Sequence, residues 1–313
     1  MTPAALRAAL SRAGYVADDA LCTALHLARE LGRPLLLEGE AGVGKTEIAR
    51  TLATVLDTRL IRLQCYEGLD AQHALYDWDY RRQLLAIQLT RDGSSGGSFD
   101  VRTDAAGGID VARASDALYD ERFLVRRPVL EAIASPTPVV LLIDEIDRAD
   151  EAFEALLLEV LSDFQVSIPE LGTIEAVSRP LVILTSNGVR ELSDALRRRC
   201  LYHYLAYPDE AKERDIVRAR LPDVDAGLAA EAVRVVQALR ERGMRRTPGI
   251  AETLDWTASL VRLGVRRLDA DPDTVAASLS ALVKTREDRA MLDRADGGLA
   301  GVMAEATAGA PPR

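Results

Sequence analysis

The feature that most constrains the fold of this chain is the octapeptide GEAGVGKT at residues 39–46, which follows a short apolar run. It fits the pattern GxxxxGK[ST], with Gly39, Gly44, Lys45 and Thr46 at the defining positions. Glycines let a backbone wrap around a phosphate chain, and the N–H groups of the loop then point at anionic oxygens. The motif therefore predicts a strand, a phosphate-binding loop and a helix, in that order.

The same motif provides candidate ligands for a nucleotide. Lys45 is expected to reach the β- and γ-phosphates of ATP, and the Thr46 hydroxyl is expected to hold Mg²⁺. The other loop residues expected to bind the nucleotide are Gly39, Gly42, Val43, Gly44 and Glu47. Lysine occurs in this chain only at positions 45, 212 and 284, so an accidental match to the pattern is improbable.

Further apolar runs predict a parallel α/β sheet. Leu35–Leu37 is wholly apolar, as expected of a strand that is buried on both faces. More strands are predicted at 59–65, 138–147, 179–187 and 201–207. Helical stretches separate them, and strands that alternate with helices predict a parallel α/β sheet.

These patterns also predict the domain organisation. We expect an α/β nucleotide-binding domain over residues 1–208 and a smaller, all-α lid domain over residues 209–295, where strand patterns vanish. Residues 92–117 are rich in Gly, Ser and Asp and are expected to form a mobile insertion. We expect residues 296–313 to be a disordered tail.

Two acidic residues end the most apolar run. Asp144 is expected at the end of a buried strand, where its carboxylate can hold Mg²⁺ opposite Thr46. Glu145 follows and is suited to orient or deprotonate an attacking water. An acidic pair at this place is what a phosphate-loop site requires, although both residues could simply cap the next helix.

A polar residue follows the next predicted strand. Asn187 could hold the attacking water or touch the γ-phosphate, and Asn before Gly188 is also a common turn residue. We interpret Asp147 and Asp150 as ordinary acids of a helix cap or first turn.

Bulk composition excludes several classes of function. The 313 residues carry a net charge of −10 without a long basic block, which argues against a general grip on nucleic acid. No apolar run is long enough to span a membrane, and the N-terminus does not resemble a signal peptide. The three cysteines are widely spaced, so we expect free thiols in a cytoplasmic protein.

Three arginines, Arg197–Arg199, stand directly before the last predicted strand. Arginines near a helix C-terminus complement its dipole, which is the simplest explanation. The alternative is that at least one of them reaches a phosphate.

The order of these motifs resembles the AAA+ ATPases, and more closely the MoxR group, in the branch that includes the CoxD-type proteins. The closer resemblance rests on the segments GRPLLLEGEAGVGKTE, QCYEGLDAQHALYDWDYRRQLL, FLVRRPVLEAI, IDEIDRADEAFEALLLEVLSDFQVSIPELG, VILTSNGVRELSDALRRRCLYHYLAYPD and TPGIAETLDW. The resemblance covers roughly residues 14–260.

This resemblance implies a five-stranded parallel αβα sandwich, the fold of P-loop nucleoside triphosphatases, with a helical lid. It also implies assembly as a homo-oligomeric ring, usually a hexamer. Each ATP would lie between two chains, and the arginine that enters the neighbour's site falls on Arg199, with Arg198 as the flanking candidate. Relatives of this type remodel a protein client in enzyme maturation or metal-centre insertion, and their usual partner carries a von Willebrand factor A domain.

The chain departs from the family pattern in the lid. MoxR relatives often carry a nucleotide-contacting arginine directly after a proline, but here Pro248 is followed by Gly249. Arg246 or Arg245 could substitute. Residues 166–172 resemble a hairpin that faces the ring's pore, although a plain surface turn fits equally well.

Three other functions compete with an ATP-driven remodeller. A nucleotide-gated scaffold would hydrolyse little ATP, and the presence of Glu145, Asn187 and Arg199 argues against it. A P-loop kinase would not need an acid after Asp144 together with an arginine from a second chain. A DNA motor is disfavoured by the net charge.

Overall fold

The computed structural model describes residues 1–91, 118–294 and 298–308, so the insertion expected at 92–117 lies outside the described residues. The helices are α1 Pro3–Arg12, α2 Asp19–Leu31, α3 Lys45–Val55, α4 Ala71–Ala74, α5 Tyr80–Arg91, α6 Pro128–Ile133, α7 Glu151–Asp163, α8 Asp194–Arg199, α9 Glu210–Arg220, α10 Ala226–Glu241, α11 Ile250–Arg262, α12 Pro272–Ser278, α13 Arg286–Arg294 and α14 Gly298–Ala308. The strands are β1 Leu35–Gly39, β2 Leu60–Gln64, β3 Tyr76–Trp78, β4 Leu124–Arg126, β5 Val140–Asp144, β6 Gln165–Ile168, β7 Gly172–Glu175, β8 Leu181–Ser186 and β9 Leu201–Leu205.

A five-stranded sheet has the strand order β2-β5-β8-β1-β9. Strand β5 pairs in parallel with β2, where Gln64 lies opposite Asp144, and with β8, where Ile143 lies opposite Leu184. Every residue of β5 is buried, as its apolar sequence predicts for a central strand. The predicted parallel sheet with flanking helices, the fold of P-loop nucleoside triphosphatases, is confirmed.

The chain divides into two compact units. One unit comprises residues 27–36 and 56–202, and the other comprises residues 1–26, 37–55 and 203–313. The core of the first of these contains the apolar side chains of β2, β5 and β8 and extends to Trp78. The Trp78 ring packs edge-on against Tyr119, with 5.1 Å between the ring centroids, so this tryptophan belongs to the core.

The other unit has a core of its own among the helices that follow residue 209. Trp256 is fully buried there and donates its indole N–H to the Ser278 hydroxyl over 2.8 Å. Helix α14 occupies part of the segment expected to be a disordered tail. Because Val302 of α14 is buried in this core, apolar burial stabilises a helix where composition alone favoured disorder.

Two small antiparallel pairs stand apart from the main sheet. Strands β3 and β4 pair with each other, and strands β6 and β7 form a hairpin in which Ile168 lies opposite Gly172. The hairpin coincides with the segment 166–172, and Pro169 lies in its turn, where a missing backbone N–H costs no ladder bond.

The three cysteines, Cys22, Cys65 and Cys200, are free and buried. Burial raises the pKa of the Cys65 and Cys200 thiols to about 12, and at Cys65 the nearby carboxylate of Asp144 adds to the effect. Both thiols are therefore neutral near pH 7. In the described parts of the chain, none of the helices combines the length and the apolar character that crossing a bilayer requires.

A buried ion pair joins the helices after residue 209. Glu213 is fully buried and accepts two hydrogen bonds from the Arg240 guanidinium, each 2.7 Å long. The Thr253 hydroxyl and the Gln237 amide donate to the same carboxylate, also over 2.7 Å. A buried carboxylate of this kind is tolerated only because each of its oxygens is hydrogen-bonded.

We predict that Arg240→Ala destabilises the protein by about 3–5 kcal/mol, because it leaves a buried carboxylate without its cation. The shift of the urea midpoint, followed by circular dichroism, measures the loss. The matched control is Arg214→Ala. It removes a partly exposed ion pair within α9, Arg214–Glu210 at 3.6 Å, and is expected to cost under about 1 kcal/mol. Equal losses in the two variants would contradict the prediction.

Candidate functional site

The phosphate loop between β1 and α3 has the backbone that its glycines predict. Gly42 and Gly44 have φ angles of +79° and +95°, in the left-handed region that other residues rarely adopt. A Cβ added to Gly44 would meet no atom within 4 Å, so the loop is open at this residue. The N-terminus of α3 follows directly and presents backbone N–H groups suited to an anion.

Lys45, the first residue of α3, is only 6% exposed. Its ammonium donates hydrogen bonds to the carbonyl oxygens of Gly39 over 2.6 Å and of Glu40 over 2.8 Å. The positive charge is therefore held against the loop itself. A loop with an open glycine side, a fixed ammonium and a helix N-terminus fits a polyphosphate chain.

Two other glycines are required by close backbone approaches. A Cβ on Gly39 would lie 2.2 Å from the Leu205 carbonyl oxygen of β9. Gly42 packs against Gly249, where an added Cβ would lie 2.7 Å from the Gly42 Cα, and the Ile250 N–H donates to the Gly42 carbonyl over 2.9 Å. The phosphate loop is thus in direct contact with the N-terminus of α11.

The remaining predicted loop residues differ in their surroundings. Val43 is buried, and the Glu47 carboxylate forms a 2.7 Å ion pair with Arg220 of α9. A further contact was not predicted: the Tyr207 hydroxyl donates to the Ala41 carbonyl of the loop over 3.1 Å.

The carboxylate of Asp144, 2% exposed at the end of β5, is bonded on both oxygens. Arg62 of β2 donates to Oδ2 over 2.6 and 3.1 Å, and the Thr185 hydroxyl of β8 donates to Oδ1 over 2.5 Å. Arg62 supplies the countercharge that a buried carboxylate needs. A carboxylate here is an oxygen ligand suited to Mg²⁺.

Glu145 follows in a backbone conformation that is uncommon for a residue with a side chain, with φ of 56°. Its N–H donates to the Thr185 hydroxyl over 2.9 Å, and its carboxylate Oε2 accepts from Gln64 over 3.0 Å and from Arg148 over 2.9 Å. Such strained residues cluster at functional sites, which agrees with the role predicted for Glu145.

Asp147 holds the turn that contains Asn187. Its Oδ2 accepts the backbone N–H groups of Asn187 over 3.1 Å and of Val189 over 3.0 Å, and the residue is 3% exposed. Asp147 lies in the first turn of the short 3₁₀ helix Ile146–Arg148, as predicted, and it also joins the turn after β5 to the turn after β8. Asp150 is an N-cap as predicted and accepts the Phe153 N–H over 2.9 Å.

The arginine cluster forms the last turn of α8. Arg199 is exposed, and its guanidinium donates to the Ser162 hydroxyl and to the Ala195 carbonyl, the latter over 3.2 Å. The Arg198 side chain is exposed as well. Both predicted residues thus lie on an accessible surface of the chain.

Arg246 lies in the segment before α11. Its backbone N–H and that of Arg245 donate to the buried Asp288 carboxylate over 3.1 and 2.7 Å, while both arginine side chains are exposed. Burial by itself would raise the pKa of Asp288, but hydrogen bonds from Thr285 and these two N–H groups outweigh it and lower the pKa. The contacts of this segment fix its backbone and leave the side chains of both arginines exposed.

Sequence reasoning missed the residues that hold the predicted ones in place, namely Arg62, Gln64, Thr185 and Asp147. Arg62 and Gln64 lie on β2, where alternating polar residues look like the solvent-facing side of a strand. Thr185 is hidden inside an apolar strand. Two of these residues could have been identified from their position in the sequence. Gln64 and Thr185 lie at or near the carboxyl ends of β2 and β8, as Asp144 does at the end of β5.

We predict that Asp147→Ala lowers the free energy of unfolding by about 1–3 kcal/mol, because the backbone N–H groups of Asn187 and Val189 lose their charged acceptor. Asp147→Asn should cost clearly less. Its amide oxygen can accept both N–H groups, and its NH₂ can replace Oδ1, which has no hydrogen-bond partner among the described residues. Urea denaturation measures both changes, with the exposed Asp163→Asn as a neutral control. A loss of equal size in the Ala and Asn variants would contradict the assigned contacts.

The chain is similar to several known proteins. The denitrification regulatory protein NirQ of Stutzerimonas stutzeri is 28% identical over 274 residues, which are 80% of this chain and 84% of NirQ. The gas vesicle ATPase GvpN of Haloferax mediterranei is 27% identical over 225 residues, which are 68% of this chain and 58% of GvpN. The Holliday junction branch migration motor RuvB of Thermotoga maritima is a solved structure with a TM-score of 0.43 and 20% identity, covering 88% of this chain and 72% of RuvB.

Residues 34–200 match the family model of the AAA domain, dynein-related subfamily. The match begins just before β1, includes the phosphate loop, Asp144, Glu145 and Asn187, and ends directly after Arg199. It covers more than half of the 313 residues. The chain therefore belongs to the AAA domain family, in its dynein-related subfamily.

Proposed function

We propose that this chain is an Mg²⁺-dependent ATPase of MoxR type that assembles into a homo-oligomeric ring of six chains and remodels a protein client. The observation that carries the proposal is the joint anchoring of Asp144, Glu145 and Asn187. Thr185 bonds the first two residues, and Asp147 bonds the turn of the third. A scaffold that only binds nucleotide has no need of such a constellation.

Nucleotide binding is assigned to the phosphate loop. The N–H groups of residues 42–46 and the Lys45 ammonium would bind the phosphate chain of ATP. Thr46 and Asp144 would hold Mg²⁺, which supplies charge neutralisation on the phosphate oxygens when it is bound. Arg62 already neutralises Asp144, so binding of the cation is expected to displace or share this pair.

Hydrolysis is assigned to Glu145 and Asn187. Glu145 would orient or deprotonate the attacking water, and the Asn187 amide would hold that water or the γ-phosphate. Because Gln64 and Arg148 both donate to Oε2 of Glu145, the carboxylate is held in place by two donors. Those donors must yield, or share the carboxylate with water, when ATP is hydrolysed.

The arginine cluster is assigned to the neighbouring chain's ATP. Negative charge on the transferred phosphoryl group is stabilised by a fixed guanidinium, which contributes about 10³–10⁵ in rate in related P-loop enzymes. Arg199 is the proposed finger and Arg198 the flanking candidate. Exposure of both residues on one chain supports a role towards a second chain.

Family resemblance extends the proposal to the client. GvpN is described as an ATPase and NirQ as a regulatory protein, so relatives of this chain have both kinds of description. The segments that resemble the CoxD-type branch of the MoxR group favour maturation or metal-centre insertion of an enzyme complex in the cytoplasm. A partner with a von Willebrand factor A domain is part of the same proposal.

The decisive test is ATP hydrolysis by Glu145→Gln and Arg199→Ala, each alone and in mixed rings. We expect each variant alone to be nearly inactive. In an equal mixture about a quarter of the sites combine an intact Glu145 with a neighbour's intact Arg199, since the interface is heterologous, and activity should return to that extent. Steady-state phosphate release measures it, and a pull-down between differently tagged chains verifies co-assembly.

The matched control mixes the wild-type chain with a chain that carries both substitutions, because this mixture also has about a quarter of its sites intact. Similar activity in the two mixtures supports a site shared between chains. An inactive mixture of the single variants beside an active control would show that Arg199 does not act in trans. The scaffold and P-loop kinase alternatives would then be tested next.

A separate prediction concerns the ion pair between Arg62 and Asp144. We expect Arg62→Ala to lower the melting temperature of the nucleotide-free protein by about 2–4 °C, because Asp144 loses its countercharge. Mg²⁺ with ADP should restore most of this loss, since the divalent cation compensates the same carboxylate. Thermal unfolding with EDTA or with Mg²⁺ and ADP measures both effects. Arg59→Ala, which breaks an exposed pair with Glu131, is the control and should show no such rescue by nucleotide.

A further inference from the structure

The C-terminal end of α8 is bonded by an arginine from a distant part of the sequence. Arg33 donates from Nη2 to the Arg198 carbonyl over 2.7 Å and from Nε to the Arg199 carbonyl over 3.2 Å. A third, longer contact of 3.4 Å joins Nη2 to the Cys200 carbonyl. One guanidinium therefore engages three successive carbonyl groups, beginning with those of the two predicted finger residues.

The backbone of Arg33 is itself fixed. Gly32 leaves α2 with φ of +60°, and the Arg33 N–H donates to the Ala28 carbonyl over 3.0 Å. On the other side, the Leu201 N–H donates to the Pro34 carbonyl over 2.8 Å. Arg33 thus extends from a hydrogen-bonded connection between α2 and β1 to the segment that carries the arginine cluster.

Helix stability alone is a poor explanation for this contact. Helix α8 has six residues, and its last turn already carries Arg197, Arg198 and Arg199, so its C-terminal dipole is amply complemented. A further guanidinium adds like charge to the same turn. The planar guanidinium of Arg33 instead orients the backbone. Its bonds to successive carbonyls fix the orientation of the peptide groups from which the side chains of Arg198 and Arg199 extend.

We propose that Arg33 is a positioning residue for the trans-acting arginine: it fixes the backbone of Arg198 and Arg199 so that a guanidinium reaches the ATP of the neighbouring chain. This inference rests on the proposed ATPase function. It holds whichever of the two arginines reaches the phosphate, because Arg33 bonds the carbonyls of both. Arg33 acts on the neighbour's site and leaves the nucleotide site of its own chain intact.

The test is Arg33→Ala in the full-length chain. We expect kcat for ATP hydrolysis to fall by about ten- to a hundredfold, the range expected when a catalytic group is displaced by about 1 Å. The KM for ATP and the affinity for a fluorescent ADP analogue should stay within about twofold of the wild type, because the phosphate loop is unaltered. Arg29→Ala, which removes an exposed arginine from the last turn of α2, is the control and should leave all three values unchanged.

Mixed rings then identify the site on which Arg33 acts. Mixed with Glu145→Gln, the Arg33→Ala chain keeps its own Glu145 and borrows a well-placed finger, so activity should rise towards that of about a quarter of the sites. Mixed with Arg199→Ala, no chain offers a well-placed finger, and activity should stay at the mean of the two variants. Arg33→Lys keeps the charge without the fork and should lose most of the activity as well.

The outcomes separate the two proposals. If Glu145→Gln restores Arg199→Ala but not Arg33→Ala, the shared site stands and the role of Arg33 is wrong. The same conclusion follows if Arg33→Lys hydrolyses ATP as fast as the wild type, because the charge at this position, and not the hydrogen-bond geometry of the guanidinium, would then matter. If Glu145→Gln restores neither, the shared site fails, and the inference fails with it. Should Arg33→Ala not assemble, Arg33→Lys takes its place in the same mixtures.

Discussion

The acidic part of the site depends on one buried charge, the carboxylate of Asp144 at the end of the interior strand β5. A buried carboxylate costs several kcal/mol unless a cation and hydrogen-bond donors compensate it. Arg62 and Thr185 meet that need. Since the same Thr185 hydroxyl also accepts the Glu145 N–H, the compensation of one acid fixes the backbone of the next, which bears the strain of a left-handed conformation.

The phosphate loop depends instead on glycines, because these residues have no Cβ. Gly42 and Gly249 approach so closely that a Cβ on Gly249 would collide with the loop. This explains why a glycine, and no residue with a side chain, follows Pro248. Here no side chain fits after Pro248, and the helix N-terminus itself contacts the loop through Ile250. A cationic contact from this region would have to come from Arg245 or Arg246, which lie upstream of the close approach.

The geometry of the arginine cluster, like that of the acidic residues, is fixed by partners elsewhere in the chain. Ser162 bonds the side chain of Arg199, and Arg33 bonds the backbone of Arg198 and Arg199. An isolated six-residue helix would be too short to hold a side chain in a defined direction. Supporting contacts of this kind are what the role proposed for these arginines at a second chain requires.

The sequence by itself determined where the five strands of the main sheet lie along the chain, the phosphate loop and the position of Asp144 and Glu145 at the end of a strand, because apolar periodicity and glycine conformation are local properties. It did not determine which groups hold those residues, and it missed the helix around Val302. Only the tertiary structure decided the partners. The bonds of Arg62 to Asp144, of Gln64 to Glu145 and of Arg33 to Arg198 join residues 82, 81 and 165 positions apart. Contacts over such separations arise from the packing of the sheet and leave no pattern in any short stretch of sequence.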